Sequence, residues 1–156
     1  MFMIKYKIGL ASLLMICTAF SQVPQKVDVA KDSFDFAARQ LKYAFTQIDS
    51  VKAMASNKSP QKRKLVSPRT IEDDGSFKMV ASGDWTSGFF PGELWYMYEY
   101  TQDDYWKKKA QFFTTPIEDQ KTNKATHDMG FKMYCSFGNG YRLTKDTTYL
   151  LVELDS

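Results

Sequence analysis

Cysteine and histidine are nearly missing from this sequence, with two of the first and one of the second in 156 residues. No apolar run reaches the roughly 20 residues that a membrane-spanning helix requires. The longest candidate, residues 8–20, follows a short N-terminal stretch that holds Lys5 and Lys7 and no acid. It ends in Ala19-Phe20-Ser21, a small-x-small pattern suited to cleavage before Gln22. Residues 1–21 therefore read as a signal peptide, and the mature chain is expected to be periplasmic or secreted. Cys17 lies inside the leader, but Ile16 fills the preceding position, where a lipid-attachment site wants a small residue. Once the leader is removed Cys135 is the only cysteine, so no internal disulfide can form, and its expected role is that of a small buried hydrophobe.

A large charge of one sign is also lacking. Of 21 basic residues two lie in the leader, so the mature chain carries 19 against 18 acidic ones, a net of +1. Such a balance argues against general nucleic-acid binding, and an acidic ligand would need a local site. There is no glycine-rich phosphate loop, no metal-spaced set of cysteines and histidines, and no nucleophile elbow. The mature length, about 135 residues, suffices for one domain with a sizeable core and not for two.

What is present is helical spacing. Phe34, Ala37, Ala38, Leu41, Ala44, Phe45 and Ile48 recur by threes and fours, with charged residues between them and Asp28 placed to cap the helix. The pattern fades near Ser56. From Pro60 to Asp84 the prolines, the basic cluster Lys62-Arg63-Lys64 and the turn Asp73-Asp74-Gly75 predict a long irregular connection holding at most a short strand or turn. The next twenty-odd residues are dense in aromatics. Phe90, Leu94 and Tyr98 share one helical face, with Gly88 and Gly92 beside them where a neighbouring helix can approach closely. Thr101 to Asp104 interrupts the pattern, Tyr105 opens another helix, and Pro116 ends or kinks it. Residues 118–124 predict a loop, residues 129–137 a helix stopped by Gly138-Asn139-Gly140, and residues 146–154 a last helix. Strand-like alternation is absent over any useful length, so the expected fold class is all-α.

Two stretches could carry chemistry. In Thr126-His127-Asp128-Met129-Gly130-Phe131 the sole histidine adjoins an acid at the boundary between a polar loop and a helix. An aspartate there also serves simply as a negative charge at the positive end of the helix dipole. Gly83 to Trp95 is an aromatic segment cut by three glycines and a proline just before a helix. Aromatic faces at such a junction suit stacking on sugar rings, although an aromatic stripe is also ordinary core.

The order Asp84-Trp85-Thr86-Ser87-Gly88-Phe89, Gly92-Glu93-Leu94-Trp95, Tyr98-Glu99-Tyr100-Thr101 and then His127-Asp128-Met129-Gly130-Phe131 resembles glycoside hydrolase family 88. The resemblance starts faintly in the first helix, is carried by Pro68-Arg69-Thr70 and the Trp85 segment, and runs to about Tyr149. It implies an (α/α) toroid of six helical hairpins that hydrolyses oligosaccharides ending in a 4,5-unsaturated uronic acid. Carried over by position, Asp128 is a catalytic residue, Trp85 lines the sugar site and His127 stands close to it. The rival readings are an unsaturated rhamnogalacturonyl hydrolase, which shares toroid and chemistry, and a non-catalytic helical carbohydrate-binding module.

The implied reaction protonates a vinyl ether and needs two carboxyl groups, one protonated and one ionised. In a first helical turn Asp128 would be stabilised as the anion, so it fits the ionised role. The proton donor implied by the family, a second aspartate, is expected beyond Tyr149. Residues 22–156 accordingly read as the N-terminal portion of the toroid, inactive and poorly stable alone. The expected partner is an unsaturated uronyl oligosaccharide, with no metal or organic cofactor, because carboxyl groups and water suffice for the chemistry.

Overall fold

The computed structural model describes residues 28–58 and 64–154. The leader, its cleavage site and Cys17 lie outside the described residues, as do Lys62 and Arg63 of the basic cluster. Helix α1 spans Val29–Lys58, and Asp28 caps it as expected, its carboxylate accepting from the Lys31 amide at 3.1 Å. Leu41, Ala44, Phe45 and Ile48 are buried, and Phe34 stacks on Tyr100 with ring centres 3.8 Å apart.

The connection that follows departs from the irregular path expected of it. Strands β1 (Leu65–Ile71) and β2 (Phe77–Ala81) pair antiparallel, Leu65 opposite Ala81 and Ile71 opposite Phe77. Asp73-Asp74-Gly75 is the turn. Gly75 takes a left-handed φ of 82°, its amide reaches the Glu72 carbonyl at 2.9 Å, and Asp74 accepts from the Ser76 amide. Register shifts between Leu65 and Ser67 and between Pro68 and Thr70 break the alternation that a regular hairpin would show, and Pro68 can sit there because a bulge asks for no ladder donor.

Helices α2 (Phe89–Thr101) and α3 (Asp104–Thr114) form a helical hairpin. Gln102, at φ 54°, closes α2 with its amide on the Tyr98 carbonyl, and Asp103 caps α3 by accepting from the Tyr105 amide at 2.8 Å. Between them Trp95, fully buried, donates its indole N–H to Thr114 Oγ1 at 3.0 Å. As expected, α3 ends at Thr114, two residues before Pro116. A 3-10 segment, Thr115–Gln120, continues from α3, with the proline near its start, where a missing N–H costs nothing.

The predicted stop at Gly138-Asn139-Gly140 is overturned. α4 (Met129–Met133), a π turn (Tyr134–Gly138) and α5 (Asn139–Thr144) follow one another without a break. The Asn139 side chain donates to the Cys135 carbonyl at 3.0 Å and accepts from Arg142, so it supports the coil that it was expected to end. Gly140 is there for space, since a Cβ would stand 3.1 Å from the Tyr149 ring and 3.2 Å from Trp95. The chain turns at Lys145 instead, with φ at 59°, and α6 runs over Thr147–Leu154. Arg142 grips Glu99 of α2 through two bonds of 2.6 Å.

One apolar cluster joins α1, β2, α2 and α3, and a second joins Ile117, Met133, Phe137 and Val152, with Tyr149 packed against both. The chain is mostly helical, as expected, with a two-stranded addition. Cys135 is half-buried rather than fully buried, and burial pushes its thiol pKa up.

Candidate active site

The loop between β2 and α2 is built to hold one indole outward. Asp84 Oδ1 accepts from the Thr86 amide at 2.9 Å and from its hydroxyl at 2.7 Å, while Oδ2 accepts from Arg69 of β1 at 2.9 Å. Two buried serines lock the loop from below, Ser87 Oγ on the Ser82 carbonyl and Ser67 Oγ on the Ser87 carbonyl. Burial pushes the Asp84 carboxyl up, but the Thr86 bonds and the Arg69 guanidinium outweigh it and hold the pKa below the usual range. Trp85, fixed in this way, keeps 44% of its surface exposed, with the Arg69 guanidinium 5.9 Å from its ring centre.

Beside it lies a cavity of about 590 Å³ lined by Gln40, Arg69, Thr70, Trp85, Thr86 and Glu93, among others. Glu93 keeps exposed surface, yet the atoms crowded around its carboxyl push its pKa up. The groove thus offers an aromatic face, a cation and a carboxyl readier than most to hold a proton.

The two sequence motifs meet here. Trp85, Phe89 and Phe131 form a triangle of rings with centres 5.8, 6.1 and 5.7 Å apart, and Phe131 lies three residues beyond Asp128. Gly88 makes the approach possible, because a Cβ on it would lie 2.4 Å from the Phe131 and Lys132 carbonyl oxygens. Gly92 does the same a turn further along, with the Cys135 carbonyl oxygen 2.9 Å from where its Cβ would be.

Asp128 occupies the N-cap position of α4 rather than its first turn, and its side chain makes no capping bond. The dipole reasoning applied to it therefore loses most of its support, since α4 is only five residues long and gives way to a π turn. The carboxylate pairs instead with Thr126, whose hydroxyl reaches Oδ2 at 3.2 Å, and with His127, whose Nε2 is 3.4 Å from Oδ1. His127 is 95% exposed and Asp128 24% exposed, so the acid is the more enclosed member of the pair.

Sequence reasoning missed Lys132. This side chain has no exposed surface, and its ammonium donates to the Gly83 carbonyl at 3.2 Å and lies 3.5 Å from Gln120 Oε1. Burial lowers its pKa, and Asp128, Asp84 and Asp119 act in the opposite direction. A lysine on an otherwise apolar helical face, between Met129 and Met133, was the signal available in the sequence. Among the described residues no group of three or more histidines, cysteines or acids could hold a metal ion, and no helix is long and apolar enough to cross a membrane.

An exposed indole and the held carboxylate of Asp84 thus stand side by side in sequence on a mostly helical scaffold. The relatives that the chain matches are hydrolases named for unsaturated uronyl substrates. The chain is 59% identical over 70 residues to an unsaturated glucuronyl hydrolase of Formosa agariphila, 45% of this chain and 18% of that protein. It is 34% identical over 88 residues to the unsaturated glucuronyl hydrolase of a Bacillus species, 53% of this chain and 23% of that one. An unsaturated chondroitin disaccharide hydrolase of Streptococcus pneumoniae is 30% identical over 82 residues, 51% of this chain and 21% of that one. The crystal structure of an unsaturated glucuronyl hydrolase specific for heparin superposes with a TM-score of 0.55 at 41% identity, over 59% of this chain and 25% of that one. No family model matches. The chain spans about a fifth of the length of the curated relatives it matches. It is thus similar to a portion of an unsaturated glucuronyl hydrolase, and its helical hairpins are those of a segment of an (α/α) toroid.

Proposed function

We propose that the protein carrying this chain is a glycoside hydrolase that removes 4,5-unsaturated glucuronic acid from the non-reducing end of lyase-generated oligosaccharides. The observation that carries the reading is the meeting of the two motifs, with Trp85 and Phe131 in ring contact and Asp128 held at the start of the same helix as Phe131. The substrate is a vinyl ether. A general acid protonates C4, positive charge develops at C5 and the ring oxygen, and water adds to C5 with loss of its second proton to a base. The resulting hemiketal opens at the bond between C5 and the ring oxygen, and C1 then expels the leaving sugar as its free alcohol. Asp128, as the ionised carboxylate, steadies the positive charge or orients the water, Trp85 stacks on the ring, and His127 lies at the rim. The leader supports export, and residues 22–156 read as the N-terminal portion of the toroid domain.

The test follows the loss of ultraviolet absorbance of the conjugated uronate on incubation with lyase-made disaccharides. Asp128→Asn in the full-length protein is expected to lower kcat by about 10²- to 10⁴-fold. Unchanged turnover in that variant would remove Asp128 from the role. Turnover confined to pectin-derived fragments would favour a rhamnogalacturonyl hydrolase, and sugar binding with no turnover a non-catalytic module.

A further inference from the structure

A guanidinium holds its N–H donors in a rigid fork and often meets a carboxylate through two of them at once. Arg69 does not. A single contact joins it to Asp84, Nη1 to Oδ2 at 2.9 Å. The other carboxylate oxygen, Oδ1, already accepts from both the amide and the hydroxyl of Thr86, so the forked pairing is closed to it. No second acceptor reaches the Arg69 guanidinium among the described residues. The cation is thereby held in place with most of its donors unused, on a side chain 39% exposed. It stands in the wall of the cavity of about 590 Å³, a size within the range of small-molecule pockets. Among the described residues Arg69 is the one cation lining that cavity and Glu93 the one acid, and no ion pair joins the two. The Trp85 ring adjoins it, with its centre 5.9 Å from the guanidinium carbon, so a sugar seated on the indole brings its substituents to the unused donors. Gln40 of α1 and Glu93 of α2 add acceptors for hydroxyl groups.

We propose that this groove is a binding subsite for an anionic group of the oligosaccharide, carboxylate or sulfate, and that Arg69 is the specificity-determining residue that takes it. The inference rests on the functional reading above for the oligosaccharide as ligand, and not for the anion site itself. A uronate supplies the carboxylate and an ester on a neighbouring sugar the sulfate, and both present paired oxygens that a guanidinium edge matches. Asp84 serves the site without touching the ligand, because it fixes the guanidinium and is itself occupied by the Thr86 and Arg69 donors. A lysine would serve less well, since an ammonium drawn to Asp84 has no rigid second edge to present. A neutral sugar stacks on Trp85 equally well and gains nothing from Arg69, so the groove discriminates by charge.

The experiment measures binding to the full-length protein by calorimetry. The probes are a saturated glucuronyl disaccharide, which carries the anion but no vinyl ether to hydrolyse, its methyl ester, and an O-sulfated form of that ester. The parent is expected to bind the acid, the sulfated ester or both about ten-fold or more tightly than the neutral ester, as a charge-assisted bond allows. Arg69→Met should abolish that preference and leave the affinity for the neutral ester near the parent value, while Arg69→Lys keeps only part of it. A preference for the acid identifies the carboxylate as the group bound, and a preference for the sulfated ester identifies the sulfate. Equal binding of all three probes by the parent would overturn the proposal, and that measurement needs no variant to fold. A preference that survives in Arg69→Met would overturn it too. So would a loss in Arg69→Met as large for the neutral ester as for the charged probes, the pattern of a residue that only supports the Trp85 loop. A protein that shows the Arg69-dependent preference yet turns over no unsaturated uronyl substrate would refute the functional reading alone.

Discussion

At the scale of single residues the site is an arrangement of compensated charges. Asp84 has the plainest consequence. Its carboxylate is 19% exposed and carries bonds from Arg69 and from both donors of Thr86. A pKa held below its ordinary value means that folding favours the ionised form. The stabilisation is fully present above the normal carboxylate range and is lost as the pH falls through the depressed folded value. Asp84→Asn is therefore expected to cost about 1–3 kcal/mol at neutral pH, as loss of hydrogen bonds to a charged group does. The gap to the parent should shrink on acidification. Urea melts of both proteins at neutral pH and below the carboxylate range measure it, and a gap that is independent of pH would show that the Arg69 pair contributes nothing. Trp85 depends on the same network, since the indole is held outward by Asp84 and the two serines beneath it.

At the scale of elements, close packing of backbone on backbone decides where the two motifs lie. Gly88 and Gly92 abut carbonyl oxygens of residues 131, 132 and 135, positions that no side chain can vacate. Gly88→Ala would put a methyl group 2.4 Å from two of these oxygens, so the start of α2 and the helix from Met129 must separate. The expected loss is about 1–3 kcal/mol or more, as for overpacked interiors, together with a fall in activity because Trp85 and Phe131 move apart. Thermal denaturation and turnover of the variant check both, and a variant as stable and active as its parent would contradict the close approach. This contact was legible in the sequence, because two glycines four apart beside an apolar helical face have few other uses. Helix α1 was legible from its three-and-four spacing and the cap Asp28, α2 from Phe90, Leu94 and Tyr98 four apart, and α3 from the break before Tyr105. The β hairpin was not, since Pro68 and two bulges erase its alternation. The helix through residues 138–140 was not either, because the glycines there make room for Glu153, Tyr149 and Trp95, and that need appears only in three dimensions. Trp85 and Asp128 were named as candidates through their motifs, which the structure brings together at the Trp85–Phe131 contact. Lys132 escaped because its meaning lies in Gly83 and Gln120, 49 and 12 residues away in sequence.

At the scale of the whole molecule, two groups among the exposed apolar side chains stand where neighbouring hairpins could cover them. On one side Phe36 of α1 and Tyr96 of α2 are 57% and 54% exposed and border a shallow groove with Phe34, Ala37 and Met97. On the other Tyr134, Leu151 and Leu154 are 66%, 62% and 73% exposed. In a toroid each helical hairpin packs against a neighbour on either side, which is the geometry these flanks suit. Scattered apolar residues on a surface are ordinary, but contiguous ones on two faces favour association. Residues 22–156 expressed by themselves are expected to self-associate at concentrations of about 10 µM, within the range at which exposed apolar surface drives aggregation. The double variant Phe36→Ser, Tyr96→Ser removes one flank and should shift the distribution towards monomer without altering Trp95 or the buried face of α1. Light scattering coupled to gel filtration distinguishes the outcomes. A parent chain that stays monomeric at that concentration would mean that these side chains are ordinary surface and that neither flank is a packing face.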